Sequence, residues 1–398
     1  MSAIVRLGAA CAGALLVHLV VACAASEDVQ PRPEADSGAV APPTDASAPP
    51  SEGEDADVDA SPPRECSGDG FCHTALPTGQ TLRAVWGDGQ GIVWAVSGQG
   101  AILRWDQTEW KIHASGLGPL SAVWGSGPTD VWVGGQSVLF HGTGASPAAL
   151  TFAATTRPMG EIASIWGTSA NDVWAVVVRN DSLPRSRVLH YAPSSGGGPS
   201  SWSEVTVDPE MRFTHVWGTA ASGVWLGGIL GDVYSGAPGR IYRRQPGATE
   251  FAPVLAPADP DDPETETAYD PGELASVSVL SDTSMVLLGR TPFGDEMLIR
   301  GKSTDGGLTF TLEHAEFNGE FNGLSSFAVA ATTDDDLWVA GEYGRMRHWN
   351  GSRWSAPALT VTKFPVIENL HAFWVKGPDD LWVVGEGIAL HLDPTKKK

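Results

Sequence analysis

The sequence Leu120-Ser-Ala-Val-Trp124-Gly-Ser-Gly-Pro-Thr-Asp130-Val-Trp132-Val-Gly-Gly135 indicates a repeat protein, because versions of it recur along the chain. Its two tryptophans lie eight residues apart, and the same spacing separates Trp86/Trp94, Trp124/Trp132, Trp166/Trp174, Trp217/Trp225 and Trp374/Trp382. Two degenerate units keep the spacing without both tryptophans, at Ala330/Trp338 and Ser278/Val286. The chain after Thr81 therefore contains seven copies of one structural unit.

Each unit is predicted to form four short antiparallel strands, the last two joined by a tight turn such as Trp105-Asp-Gln-Thr-Glu-Trp110. Strands with two apolar faces need cover on both sides, which a radial stack of sheets supplies. Successive units begin 38 to 61 residues apart, close to the roughly 40–50 residues of a propeller blade. We therefore expect an all-β, seven-bladed β-propeller of four-stranded antiparallel blades, after a signal peptide and a disordered tether.

The N-terminal residues 1–22 have the pattern of a secretory signal peptide. Arg6 precedes an apolar run from Leu7 to Ala22 that is short for a membrane span. The run ends in Val20-Val-Ala-Cys23, which resembles the lipobox of bacterial lipoproteins. That resemblance implies lipidation of Cys23 and an exported protein anchored to the bacterial outer membrane, on its periplasmic or cell-surface side. An ordinary cleaved signal with an incidental cysteine is the alternative.

Residues 23–65 are rich in Pro, Ala, Ser, Asp and Glu. Such a segment cannot bury enough apolar surface to order itself, so it is expected to be a disordered acidic tether. The propeller is assigned to residues 66–398. Cys66 and Cys72 stand at its head, where an oxidising compartment favours a disulfide between them. The segment Phe71 to Pro77 is predicted to supply the strand that the last unit lacks, which would close the ring.

The formal net charge is −22. This acidic balance argues against binding to nucleic acid and to anionic lipid surfaces, which attract basic patches, so contact with a membrane is expected only through the N-terminal lipid. The acidic run Asp259, Asp261, Asp262, Glu264 and Glu266, within the loop 259–273, is expected to be solvated. Weak calcium binding there is the alternative; no other cofactor and no metal site is expected.

A family resemblance enters at Ser303-Thr-Asp305-Gly-Gly307-Leu-Thr309-Phe310, which resembles the Asp box of sialidase-like BNR propellers. In that family the box forms the turn between the third and fourth strands of a blade, which is where it falls in this unit. The tryptophan-glycine units are similar to the BNR or WD-like repeats of bacterial envelope lipoproteins.

Polar residues that recur in every unit are expected to be scaffold. Aspartates 130, 172, 336 and 380 precede the second strand and suit Asx-type turns. The third strand carries one basic residue per unit, expected to form hydrogen bonds or to stack on tryptophan: Arg104, His141, His190, Arg243, Arg300, His348 and His391. No catalytic residue is assigned, because no nucleophile elbow, phosphate loop or metal-ligand spacing is present.

Loop length distinguishes one face. The insertions fall between the second and third strands or between blades, and are longest in blades 3 to 5. Exposed loops on a rigid scaffold commonly carry binding. The candidate binding face comprises Arg179, Asn180, Asp181, Arg185, Tyr234, Tyr269, Phe293, Tyr343 and Arg345.

Two classes of function compete. The first is a non-enzymatic, monomeric envelope lipoprotein that binds a protein or glycan partner through this face, because a fold alone supplies no chemistry. An assembly factor for envelope complexes is one form of it. The second is a sialidase-like glycoside hydrolase or lyase, which needs paired carboxylates or a tyrosine nucleophile and an arginine cluster. No such cluster can be assembled from the repeated positions, so an enzyme is the less favoured class.

Overall fold

A computed structural model describes residues 65–179, 184–194, 198–231, 239–254, 272–290, 296–315, 324–360 and 365–397. These residues form seven antiparallel sheets of four strands each. The first strands of neighbouring sheets contact one another around a closed ring. Each sheet is therefore a blade whose first strand is innermost and whose fourth is outermost. The predicted seven-bladed β-propeller is confirmed.

The strands are numbered in chain order. Blade 1 contains β2 (Leu82–Gly87), β3 (Val93–Ser97), β4 (Ile102–Trp105) and β5 (Trp110–Ala114). Blade 2 contains β6 (Leu120–Gly127), β7 (Asp130–Gly135), β8 (Val138–Thr143) and β9 (Thr151–Thr156). Blade 3 contains β10 (Glu161–Ser169), β11 (Asp172–Val178), β12 (Ser186–Ser194) and β13 (Gly198–Val205).

Blade 4 contains β14 (Met211–Thr219), β15 (Gly223–Leu230), β16 (Gly239–Arg244) and β17 (Ala252–Val254), and blade 5 contains β18 (Glu273–Ser281), β19 (Ser284–Arg290), β20 (Glu296–Lys302) and β21 (Thr311–Ala315). Blade 6 contains β22 (Ser326–Thr333), β23 (Asp336–Gly341), β24 (Met346–Trp349) and β25 (Trp354–Ser355). Blade 7 contains β26 (Leu370–Gly377), β27 (Asp380–Gly385), β28 (Ala389–Leu392) and β1 (Phe71–His73). Single turns of 3-10 helix lie at Pro147–Ala149, Glu342–Gly344 and Pro394–Lys396.

The N-terminal strand closes the ring. β1 pairs antiparallel with β28, with Phe71 opposite Leu392, so the outer strand of blade 7 comes from the opposite end of the chain. The predicted closure is confirmed, although only residues 71–73 of the segment 71–77 form the strand. The sulfur atoms of Cys66 and Cys72 lie 2.09 Å apart, within bonding distance just before this strand. Formation of the disulfide in the cell depends on the compartment, which stays a prediction.

The apolar core lies between the blades. The described residues contain seven clusters of buried apolar side chains, and each cluster draws on two adjacent blades. Second-strand tryptophans are fully buried in five blades: Trp94, Trp132, Trp174, Trp225 and Trp382. A tryptophan can bury about 150–250 Å². These side chains therefore hold blades together, as their repetition predicts.

The glycine that follows the first tryptophan of a unit has a packing reason. A Cβ atom on Gly125 would lie 2.6 Å from the ring of Trp86 in the preceding blade, and one on Gly167 would lie 2.8 Å from Trp124. The last blade meets the first in the same way, because a Cβ atom on Gly87 would lie 2.7 Å from Trp374. In blades 7, 1 and 2 the first-strand tryptophan thus covers the glycine of the next inner strand.

Third-strand histidines stack on second-strand tryptophans. The ring centroids of His190 and Trp174 lie 3.9 Å apart at an interplanar angle of 13°, and Nε2 of His190 lies 2.7 Å from Oδ1 of Asp172. The same trio recurs as His141/Trp132/Asp130, His348/Trp338/Asp336 and His391/Trp382/Asp380. The predicted stacking is confirmed. The aspartates that we expected to support turns bind these histidines, and three of them also accept a hydroxyl hydrogen bond across the turn, from Ser126, Thr168 and Thr332.

Candidate functional site

Every inner strand carries a β-bulge near its beginning. The pairing register slips between Leu82 and Ala84 in blade 1, and at the same place in each other blade. A bulge turns its residue out of the regular alternation of the strand. The bulge residues differ from blade to blade, and we call them the bulge ring: Arg83, Ser121, Ala163, Thr214, Ala275, Phe327 and His371.

The bulge ring lies at the end of the propeller where the inner strands begin. Because neighbouring strands are antiparallel, the connections between blades and the turns between second and third strands emerge at this same end. We call it the mouth face. The turns between first and second strands, and between third and fourth strands, lie on the opposite face. The loop-rich face predicted from the sequence is the mouth face.

A cavity of about 670 Å³ opens on the mouth face at blades 1 to 3. This volume is within the range of ligand pockets, about 300–1,000 Å³. Its lining combines charged, hydroxyl and apolar side chains, among them Arg83, Ser121, Ser137, Met159, Glu161 and Arg179. The cavity can therefore hold a polar chain and also cover an apolar group.

The charged groups of this cavity are left available for a ligand. Within the described part of the chain, Arg83, Arg179 and Glu161 take part in none of the ion pairs. Guanidinium groups bind carboxylates with paired hydrogen bonds. The cavity thus carries a net positive charge in a chain whose formal net charge is −22.

The bulge ring continues from the cavity into blades 7 and 6. The side chain of His371 lies 3.5 Å from Oε1 of Glu386, and its ring centroid lies 5.6 Å from that of Phe327. Burial lowers the pKa of His371, and the nearby charge of Arg83 lowers it further. The lowered pKa favours the neutral form of His371, and Arg83 is the permanent cation of the bulge ring.

Four residues of the predicted binding face lie among the described residues, all on the mouth face. Arg179 and Arg185 flank the insertion in blade 3, where the Arg179 N–H donates to the Arg185 carbonyl over 2.8 Å. Tyr343 and Arg345 lie in the corresponding turn of blade 6. Of these, the cavity includes only Arg179. The other predicted positions lie outside the described residues: Asn180, Asp181, Tyr234, Tyr269, Phe293 and the acidic run from Asp259 to Glu266.

The sequence Ser303 to Phe310 forms the turn between β20 and β21, on the face opposite the mouth. The carboxylate of Asp305 accepts hydrogen bonds from the backbone N–H groups of Leu308 and Thr309, at 3.0 and 2.9 Å, and from the Thr309 hydroxyl at 2.6 Å. These bonds, the Thr309 hydroxyl first, hold the pKa of Asp305 well below its usual range. Its carboxylate stabilises the turn.

The cavity residues Arg83, Met159 and Glu161 were missed by the sequence analysis. Arg83 occupies the variable second position of Leu-x-Ala-Val-Trp-Gly, which looks uninformative until the bulge places it at the mouth. A comparison of that position among the seven units could have identified Arg83 from the sequence, because the position varies while its neighbours repeat. No group of three or more potential metal ligands occurs among the described residues, and none of their helices is long and apolar enough to span a membrane.

The fold and the mouth define the class: this chain is a β-propeller protein. Its structure resembles YCF48 bound to D1 peptide, with a TM-score of 0.57, 14% identity and coverage of 81% of this chain and 96% of that one. It also resembles YCF48 from Cyanidioschyzon merolae, with a TM-score of 0.57, 16% identity and coverage of 82% of this chain and 99% of that one. A third similar structure is a catalytically inactive variant of virginiamycin B lyase from Staphylococcus aureus with quinupristin. Its TM-score is 0.56, its sequence identity is 11%, and the match covers 81% of this chain and 97% of that one.

At these identities the similarity establishes the fold alone. No protein-family model matches the chain, and no curated protein sequence matches it. The propellers with similar structures have varied functions, including a lyase. Function must therefore be argued from the mouth and not from the fold.

Proposed function

We propose that this chain is a non-enzymatic binding protein of the bacterial cell envelope, anchored through a lipid on Cys23, that holds a protein partner at the mouth face. The cavity carries this proposal, because Arg83 and Arg179 line it without an ion-pair partner among the described residues. Arg83 is exposed and Arg179 is half-buried, so a partner can reach both side chains. Arginine is enriched among the residues that anchor protein interfaces.

Two further observations support a protein partner. The mouth cavity mixes apolar Leu120 and Met159 with hydroxyl groups and charges, the composition of a protein interface with a polar rim. A propeller of similar structure was solved with a bound peptide, the YCF48 complex. A glycan partner is the alternative binder, and the insertions of blades 3 to 5 would extend either contact.

The test compares two arginine variants. Arg83→Ser places in blade 1 the residue that blade 2 carries at the same bulge, Ser121, so the fold is expected to tolerate it. Arg353→Ser changes an exposed arginine in the turn between β24 and β25, on the opposite face. The full-length protein and both variants are used to capture partners from an envelope extract, with quantification of the proteins bound.

We expect Arg83→Ser to lower recovery of the partner at least about tenfold, as loss of an interface anchor does. Arg353→Ser should leave recovery unchanged. Equal recovery by all three proteins would contradict the mouth as the binding site. Treating the captured material with a glycosidase distinguishes a glycan from a protein as the group recognised.

The enzymatic alternative, a sialidase-like hydrolase or lyase, stays a prediction from the Asp box resemblance. Its strongest support is that propellers of similar structure include a lyase. Glu161 is the carboxylate in the described cavity lining. Turnover of sialyl or pectic substrates that Glu161→Gln abolishes would replace the binding proposal.

A further inference from the structure

One turn on the mouth face holds a large side chain in an unfavourable backbone conformation. Tyr343, between β23 and β24, has φ 54° and ψ 39°, in the left-handed region that suits glycine. The equivalent turn of blade 7 has Gly387 there, with φ 68°. The residue before this position donates its backbone N–H to the carbonyl of the residue that precedes an inner strand. In blade 6 the Glu342 N–H donates to the Ser325 carbonyl, and in blade 7 the Glu386 N–H donates to the Asn369 carbonyl.

Burial does not account for tyrosine at this position. The side chain of Tyr343 is 62% exposed, so packing within the propeller contributes little to offset its backbone conformation. Strain of this kind persists where a side chain has another role. The repeat itself demonstrates that glycine would serve the turn, because blade 7 uses it.

A second exposed apolar residue lies beside this tyrosine. Ile367, just before β26, is 69% exposed. The segments are joined because the Tyr343 N–H donates to Oδ1 of Asn369 over 3.0 Å, and Gly344 packs directly against the backbone of Val366. Tyr343 and Ile367 are therefore two exposed apolar residues on adjoining segments at the seam between blades 6 and 7.

Carboxylates lie next to these two residues in the chain and in the neighbouring turn of blade 7. Each of three carboxylates accepts a hydrogen bond from a nearby residue. The Ser325 N–H donates to Glu342 over 3.0 Å, the Ile367 N–H to Glu368 over 3.0 Å, and Nδ2 of Asn369 to Glu386 over 3.2 Å. Arg345, half-buried after the turn, is one neighbouring cation, and Arg83 lies near Glu386 through their shared neighbour His371. Among the described residues, three carboxylates against two guanidinium groups leave a net negative charge, which attracts a cationic partner and repels an acidic one.

We infer that Tyr343 and Ile367 form a docking anchor for a protein segment that presents an apolar side chain flanked by lysine or arginine. This inference rests on the proposed function only in treating the chain as a protein-binding propeller. Tyrosine supplies a large, rigid contact at low entropic cost, and the carboxylates orient the flanking cations. The anchor adds a subsite in blades 6 and 7 to the cavity of blades 1 to 3.

The test selects peptides from a random phage-displayed library on the immobilised full-length protein and measures their affinities by fluorescence anisotropy. The variants are Tyr343→Gly, which copies blade 7, and Ile367→Ser. The matched control is Gln107→Gly, because Gln107 also has positive φ, 77°, but lies on the opposite face. Melting temperatures check folding, and Tyr343→Gly should melt at or above the wild-type temperature because strain is removed.

We expect the selected peptides to carry lysine or arginine next to an apolar residue. Their affinity should fall at least about tenfold with Tyr343→Gly and with Ile367→Ser, and should be unchanged with Gln107→Gly. Selection of peptides without basic residues, or of none that depend on Tyr343, would overturn the anchor. Peptides that depend on Arg83 but not on Tyr343 would overturn it while leaving the proposed function standing.

Discussion

Four aspartates each hold a histidine flat against a tryptophan, so the commonest charged residues of the repeat act within the scaffold. Asp336 accepts hydrogen bonds from Nε2 of His348 and from the Thr332 hydroxyl. Burial raises the pKa of Asp336, but the bonds from His348 and Thr332 outweigh burial and hold it below its usual value. The repeated acid and base therefore hold each other in place within the scaffold of the blade.

Asp336→Ala should lower the free energy of unfolding by about 1–3 kcal/mol, because it leaves two half-buried donors without their acceptor. The adjacent, exposed Asp335 is the matched control, and Asp335→Ala should change it by less than about 0.5 kcal/mol. Urea unfolding at pH 7 measures both. Equal effects would contradict the scaffold role.

The pH dependence of that difference has a definite sign. The pKa of Asp336 is lower in the folded state than the unfolded-state value of about 3.9. The contribution of Asp336 to the free energy of unfolding is therefore fully present above that value, and it is lost as the pH falls through the folded-state pKa. The gap between the wild type and Asp336→Ala should therefore shrink below about pH 4.

Among elements, the inner strands carry both the packing of the ring and the site. The tryptophan-glycine contact is readable from sequence because it repeats, and so is the missing outer strand that residues 71–73 supply. The bulge is not readable, because it is a one-residue slip in backbone pairing. Sequence therefore predicted the blades correctly but placed the binding residues in the loops, where most of them lie outside the described residues.

Gly125→Ala should destabilise the propeller by about 1–3 kcal/mol, the usual cost of overpacking. Its Cβ atom would lie 2.6 Å from Trp86 and 2.9 Å from the Asp130 carbonyl. Gly127, two residues on in the same strand, is the control, because a Cβ atom there meets nothing within 4 Å. Chemical denaturation of the two variants compares them; a Gly125→Ala variant as stable as Gly127→Ala would refute the interlocking of inner strands.

For the whole molecule, repetition separates support from recognition. The residues that recur in the blades are buried between them or bound to one another, while the bulge ring and Tyr343 differ between blades and face the mouth. The opposite face carries turns that are braced internally, as in the Asp305 turn. The mouth face therefore carries cationic groups at blades 1 to 3 and acidic groups at blades 6 and 7.

Site-specific photocrosslinking compares the two faces, because each face offers an exposed apolar position among the described residues. Met159 lies on the mouth face and is 65% exposed, and Leu308 lies on the opposite face and is 59% exposed. A photoreactive amino acid replaces each in turn in the full-length protein within cells, and the adducts are resolved by mass. We predict a discrete partner adduct from position 159 that is absent from position 308. The same adduct from both positions, or one from position 308 alone, would contradict the mouth as the site of recognition.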